Sequence, residues 1–446
     1  MGVVAGRAPL ESALRKARWR ILPLLSLGYL ASYMDRANIG FAAESMNRDL
    51  HFTPHIYGLG AGLFFVSYAL CEIPSNALLL RFGARRWLAR IMLTWGLLAA
   101  GMMFVGGMRS FFIMRVLLGA AEAGYFPGAA YYISQWFPGR QRAQAVSWFY
   151  IAFPLSVTLM GAAAGSLLRL NGVLGLRGWQ WLFLLEGAPA IALSVLFWFG
   201  LPEKPAKAEW LDEDERRELE LDRGEEQDTE HGGGRNLLWA VFREPRVWGF
   251  GLFNFCMLCS NYAINFFLPL LIRELTGWRP STVGYLIALG GLLGAAAMVL
   301  NAVHSDRALE RRWHILVPVL LLATILLLAG LHLHGVVVAC LLPMQLIAYA
   351  AMLGPMVTLM TEVCRGKAAA LAIATINMCG IFGGFAGPYY MGWMRELTGS
   401  YAVAIGSLCV LWLIAAGCMM WLTKPRRANV TKVSENLMNV RTGAAE

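Results

Sequence analysis

Charge is scarce in this sequence. Asp, Glu, Lys and Arg make up 15% of its 446 residues, against about 25% in soluble chains. That is too little to cover a water-facing surface. Long polar stretches are missing as well, apart from one segment at about 202–246. A sensor with a sizeable soluble domain has no room there. Walker A, His-Glu-x-x-His and nucleophile-elbow patterns do not occur, so ATP-driven transport and hydrolysis have no machinery here. We expect neither an enzyme nor a cofactor. The apolar residues show no strict alternation, which excludes a β-barrel. Cysteines number eight, and all lie in or beside apolar runs. Cys256-x-x-Cys259 has no second pair or nearby His, so it reads as packing and no metal site is expected. No secretory signal is evident: the first apolar run is long and leads to charged residues rather than a small-residue cleavage site. The net charge of +10 does not point to nucleic acid, because the basic residues sit in short clusters between apolar runs.

Apolar residues are abundant, at 58% of the chain with a mean hydropathy of +0.54. They form runs of about 20 residues, enough to cross a bilayer core of roughly 30 Å as helices. In lipid only helices or closed barrels satisfy their backbone polar groups. The predicted fold class is therefore an all-α membrane protein with twelve transmembrane helices in two pseudo-symmetric six-helix bundles. The spans fall at about 19–40, 56–80, 87–107, 111–135, 144–168, 179–200, 247–271, 282–303, 314–331, 336–360, 368–392 and 401–423. The ninth ends near His332 and His334.

Lysine and arginine orient the spans. With the N-terminus inside, 29 of the 38 basic residues fall in inside segments and seven in outside loops. Arg36 and Arg115 fall within spans. Both termini are thus expected in the cytoplasm of a bacterial inner-membrane protein. The expected divisions are an N-terminal segment at 1–18, a first bundle at 19–201, a linker at 202–246, a second bundle at 247–423 and a tail at 424–446. The linker combines a short charged helix around Trp210–Leu219 with a flexible joint at Gly232-Gly233-Gly234. Basic turns follow the second and eighth spans: Arg81-Phe82-Gly83-Ala84-Arg85-Arg86 and Asp306-Arg307-Ala308-Leu309-Glu310-Arg311-Arg312. Duplicated halves with a site between them are a recurring transporter plan.

An ionisable residue inside a span is a functional candidate by default. Here these are Asp35, Arg36, Glu72, Arg115, Glu122 and Glu186. Helix rise places Asp35 about 8 Å and Arg115 about 6 Å from the outer end of their spans. Their opposite charges at similar depth predict an ion pair between the first and fourth spans. Glu122 lies two turns beyond Arg115 on the same face, about 10 Å deeper and near the midplane. Desolvation there opposes its charged form and suits it to load and release a proton. Arg36 points about 100° away from Asp35 and can hold a carboxylate with two hydrogen bonds. A purely structural network locking the two spans together is the alternative. Glu72, near the inner end of the second span, reads as a partner of a basic loop, and Glu186 has no evident role. The second half offers neutral amides instead. Asn254, Asn261 and Asn265 share one face of the seventh span, and Asn377 lies near the midplane of the eleventh. They can donate to carboxylates or hydroxyls without the cost of a buried charge, or simply bond neighbouring helices.

The two basic turns resemble those of the major facilitator superfamily. Asn76 and Leu80 replace a Gly and an Asp of its first signature. A narrower resemblance is to the anion:cation symporter family, in its tartrate, 4-hydroxyphenylacetate and phthalate permease branch. Tyr33-Met34-Asp35-Arg36-Ala37-Asn38-Ile39-Gly40, Glu72-Ile73-Pro74-Ser75-Asn76 and Glu122-Ala123-Gly124-Tyr125-Phe126-Pro127-Gly128 carry it. The resemblance implies proton-coupled symport of a small organic acid anion, acting as a monomer in the lipid bilayer. It implies proton coupling at Asp35 and Glu122, and substrate contacts from Arg36, Arg115, Tyr68 and Asn377, joined by Asn261 and Asn265. Tyr33 and Tyr150 are weaker pocket candidates. Phe153-Pro154 stands where sugar-acid transporters of the family carry a glutamine, which suggests a less hydroxylated substrate. An antiporter exporting an amphipathic compound and a transporter-like sensor remain open alternatives.

Overall fold

The computed structural model describes residues 7–230, 241–331, 335–364 and 369–424. Among these residues there are helices and no strands. In chain order they are α1 (Arg7–Arg20), α2 (Leu22–Leu50), α3 (Pro54–Phe82), α4 (Ala84–Gly101), α5 (Met108–Glu122), α6 (Tyr125–Ser134), α7 (Gly139–Leu167) and α8 (Gly178–Gly200). The linker supplies α9 (Glu213–Glu230). There follow α10 (Pro245–Thr276), α11 (Pro280–Ala308), α12 (Arg312–Gly330), α13 (Gly335–Val363), α14 (Ala369–Thr398), α15 (Tyr401–Ser407) and α16 (Cys409–Leu422). The Gly232–Gly234 joint, His332, His334 and the tail beyond Lys424 lie outside the described residues, as does the side chain of Tyr150.

Ten of the described helices are long and apolar enough to cross a membrane. The two expected spans missing from that set are the ones holding Asp35, Arg36, Arg115 and Glu122. The first is α2, which runs to Leu50, ten residues past its expected end. A Glu44–Arg48 pair at 2.7 Å one turn apart supports the extra length. His51, in the left-handed region at φ 53°, closes it with its N–H on the Asn47 carbonyl. The second is the expected continuous span at 111–135, which is instead broken into α5 and α6. Gly124 makes the break at φ +88°. A β-carbon there would also run into Ser75, so both conformation and space call for glycine.

Among the described residues, the helices of the two halves approach closely along three glycine-bearing seams, toward the ends away from the linker. Gly161 and Gly165 of α7 lie against the backbone of Gly284 and Ser281 of α11. Gly58 and Gly62 of α3 lie against Pro388 and Phe385 of α14. Gly40 of α2 abuts Asn265 and Phe266 of α10. Small residues let helix backbones approach where no hydrophobic force drives helices together. Buried Tyr57 reinforces the third seam: its hydroxyl stands 3.1 Å from the Ile39 carbonyl and 2.8 Å from that of Phe266. Further out, Arg273 pairs with Glu44 across the same seam.

The linker side is built differently. Tyr132 donates to the Pro202 carbonyl at 2.5 Å, and Trp136 stacks on Trp210 at 5.3 Å. Lys16 of α1 reaches Glu215 of α9 at 2.8 Å. These contacts dock the described linker onto the N-terminal half.

Candidate functional site

The site centres on α2. Its Arg36 donates from Nη2 and Nε to Glu122 Oε1 at 2.7 and 3.0 Å. Ser32, one turn earlier, donates to the same oxygen at 2.5 Å. Glu122 is fully buried at the end of α5, and its Oε2 has no hydrogen-bond partner. The third guanidinium nitrogen, Nη1, donates to the Tyr262 hydroxyl of α10 at 3.3 Å. Arg36 therefore joins both halves. Its cation is caged by the rings of Tyr33, Phe64 and Tyr68, 5.2 to 5.4 Å away. Such contacts favour a cation by about 0.5–2 kcal/mol each.

The expected Asp35–Arg115 ion pair does not form. Arg115, 1% exposed, donates instead to the carbonyls of Gly60 and Ala61 at 3.4 and 3.2 Å. It stands 4.9 Å from the Phe64 ring. Asp35 accepts from Asn38 at 3.3 Å, and its Oδ2 has no partner. Counting residues gives depth along a helix, but depth does not fix direction around the axis. The ion pair between these helices is made one residue further on, by Arg36, and two turns deeper, by Glu122.

Beside Arg36 lies a small cavity of about 40 Å³, bounded by Tyr33, Phe41, Phe153, Asn261, Tyr262 and Asn265 among others. That volume accommodates water but not an organic acid, so substrate entry requires the halves to part. Asn265 donates to Asn261 at 2.7 Å and accepts from Gln345 of α13 at 3.3 Å. Asn254, on the same face of α10, donates to the Ile376 carbonyl at 3.0 Å and serves packing.

Of the candidates, the structure thus brings together Arg36, Glu122, Tyr68, Asn261 and Asn265. Asp35 and Arg115 lie behind them in the N-terminal half. Asn377 is half-buried on α14 and does not bound the cavity. Sequence reasoning missed Tyr262, Ser32 and Gln345. Gln345, buried in an apolar span, was the most findable, since a polar residue in a span is unusual. Ser32 and Tyr262 carry no comparable signal. Among the described residues no group of His, Cys, Asp and Glu is placed to hold a metal ion.

Comparisons with known proteins bear on the family and the fold. The sequence profile of the Major Facilitator Superfamily matches residues 25–388. A protein of Agrobacterium vitis, provisionally named a tartrate transporter, is 41% identical over 94% of this chain and 97% of its own. A quinolone resistance transporter of Acinetobacter baumannii is 35% identical over 90% of this chain and 93% of its own. Among solved structures, a D-xylose–proton symporter superimposes with a TM-score of 0.73 at 18% identity, covering 91% of this chain and 97% of the other. At that identity the likeness concerns the fold alone.

Proposed function

The chain belongs to the Major Facilitator Superfamily, and from that premise we propose that it takes up a small organic carboxylate by proton-coupled symport. The observation that carries this reading is the pairing of Arg36 with Glu122. A guanidinium is the side chain best suited to hold a carboxylate. Here an internal carboxylate already occupies it. Substrate and Glu122 compete for the same cation, and a proton settles the competition. Protonation removes the charge on Glu122 and loosens its hold, so that Arg36 can turn its donors to the incoming anion. Tyr262, Asn261 and Asn265 of the opposite half then supply neutral donors to the same molecule. Departure of the anion lets Glu122 lose its proton and recapture Arg36. Proton and anion thereby move together.

In this scheme Arg36, Asn261 and Asn265 touch the substrate, and Asn377 joins them once the cavity enlarges. Tyr68 steadies the Arg36 cation. Arg115 and Asp35 act from behind, Arg115 by orienting the α3–α5 wall and Asp35 as the partner carboxylate in coupling. The distribution of Lys and Arg supports a linker side facing the cytoplasm of a bacterial inner membrane, and the proposal takes the halves as divided above and the protein as a monomer. The sealed seams then face outward. The identity of the Agrobacterium relative makes tartrate-like acids the first substrates to try.

Proteoliposomes test the reading. An imposed proton gradient should drive tartrate or another small carboxylate to accumulate with the wild-type protein. Glu122→Gln should abolish that accumulation. If Glu122→Gln still concentrated the substrate in response to the gradient, the coupling assignment would be wrong. A second reading is proton-driven export of an amphipathic compound, favoured by the quinolone-resistance relative. Reversing the sign of the gradient separates the two.

A further inference from the structure

Asp35 and Arg36 are consecutive, so their side chains leave α2 about 100° apart. Arg36 faces the cavity and Asp35 faces the interior of the N-terminal bundle. There it meets Glu186 of α8, and Asn38 lies beside both. All three side chains are at least nine-tenths buried. Their hydrogen bonding does not close. Four acceptor oxygens have no donor: Asp35 Oδ2, Asn38 Oδ1 and both oxygens of Glu186. The cations that act on Asp35 are engaged elsewhere: Arg115 on backbone carbonyls, Arg36 on Glu122 and Tyr262. Glu122 also acts on Asp35. Among the described residues, Asp35 is the only titratable group acting on Glu186. The Trp95 indole N–H of α4 is aimed at Asp35 but stands outside hydrogen-bond geometry. One indole N–H does not satisfy four acceptors. Two charged carboxylates sharing such a pocket without a cation would be prohibitively costly.

We propose that Glu186 and Asp35 form a second proton-binding site, in which a proton on Glu186 is shared with Asp35 and Asn38. One proton halves the deficit, from four unmet acceptors to two. It turns a Glu186 oxygen into a donor, which Asn38 Oδ1 or Asp35 Oδ2 accepts. Asn38 meanwhile keeps its own donation to the other oxygen of Asp35. The site lies about 100° around α2 from the Arg36–Glu122 pair and is coupled to it through the charge on Asp35. Its role in transport rests on the uptake reading above; its existence does not.

Infrared spectroscopy of the full-length protein in lipid nanodiscs tests this. Near neutral pH the wild type should show a protonated carboxyl band that shifts in heavy water. Glu186→Gln should remove that band, Glu186→Asp should shift it, and Glu122→Gln should leave it in place. Glu186→Asp keeps a carboxylic acid, so it answers the question even where the glutamine variant folds poorly. A band unaltered by either Glu186 variant, or no such band in the wild type, overturns the proposal. So does a band that sodium chloride abolishes at constant pH while potassium chloride does not, since sodium would then be the occupant. If the band behaves as expected but wild-type uptake ignores the proton gradient, the uptake reading falls and this site stands.

Discussion

In the N-terminal half, α2, α5 and α8 bury Asp35, Arg115, Glu122 and Glu186. In the C-terminal half, the buried polar side chains of the described spanning helices are neutral: Asn254, Ser260, Asn261, Ser305 and Gln345. The same architecture therefore carries two chemistries. A buried charge is tolerable only with a partner held in good geometry. The N-terminal half meets that demand within itself for Arg36, Glu122 and Arg115, through the Arg36–Glu122 pair and the carbonyl contacts of Arg115. Amide contacts between helices are worth only about 0.6 kcal/mol each, so the C-terminal wall breaks and remakes them at little cost. That suits a wall that must approach and leave the substrate while the charged wall stays intact. Arg36 Nη1 to Tyr262 is where the two chemistries touch.

The comparison breaks most readily at Glu122. Glu122→Gln leaves the Arg36 cation without its buried counter-charge, which should destabilise the protein by about 3–5 kcal/mol. The thermal midpoint in detergent checks this. Proton-driven accumulation should vanish with it. A variant of unchanged stability would show that Arg36 was never held by Glu122. Arg36→Lys comes next. Lysine keeps the charge but loses the planar fork and its ring contacts. Losing hydrogen bonds worth about 1.5–3 kcal/mol each should raise the substrate KM by roughly ten- to a hundredfold. If the Arg36→Lys variant transported as well as the wild type, point charge alone would suffice at this position.

Asn265→Ala sharpens the contrast from the other side. It breaks the Gln345–Asn265–Asn261 chain, each link of which contributes about 0.6–1 kcal/mol. The expected result is a rise of about threefold to tenfold in KM with stability nearly unchanged. An effect on stability as large as that of Glu122→Gln would erase the distinction between the walls.

The fold was legible because apolar runs the length of a bilayer leave a chain few options. The departures fall where function interrupts that rule. Apolar runs mark α2 and the α5–α6 pair as spans, but they do not show that α2 runs on to Leu50 or that Gly124 breaks the second. For the site, residue type and depth were legible and azimuth was not. Counting from Arg20 and Phe111 put Asp35 level with Arg115, yet which side chain turns toward the neighbouring helix depends on how the helices rotate against one another. Tyr262 was invisible for a related reason: tyrosines in spans are usual at interfaces, and nothing local says that one of them closes on a cation 226 residues away.

The smallest expected effect concerns the linker, which lies outside both walls. Its helix α9 docks on α1 through Glu215, which is 4% exposed. Burial works against the Glu215 charge. Hydrogen bonds from Lys16, the Asp212 backbone N–H and Ser12, together with the Lys16 charge, outweigh it and hold the carboxyl below its usual range. The bond to Glu215 in turn pushes the Lys16 ammonium up. A depressed carboxylate stabilises the docked form above its unfolded value, about 4.3. That contribution is lost as pH falls through the lower, folded value. The lysine's part is lost only as pH rises past its own raised value, above about 10.4. Docking should therefore hold across the physiological range and loosen in acid. Hydrogen exchange of residues 213–222 should quicken there, and Lys16→Met should show the faster exchange already at neutral pH. Transport should be unaffected, because the described linker travels with the N-terminal half and does not bridge the two. A drop in uptake by Lys16→Met would mean that the linker takes part in moving one wall against the other.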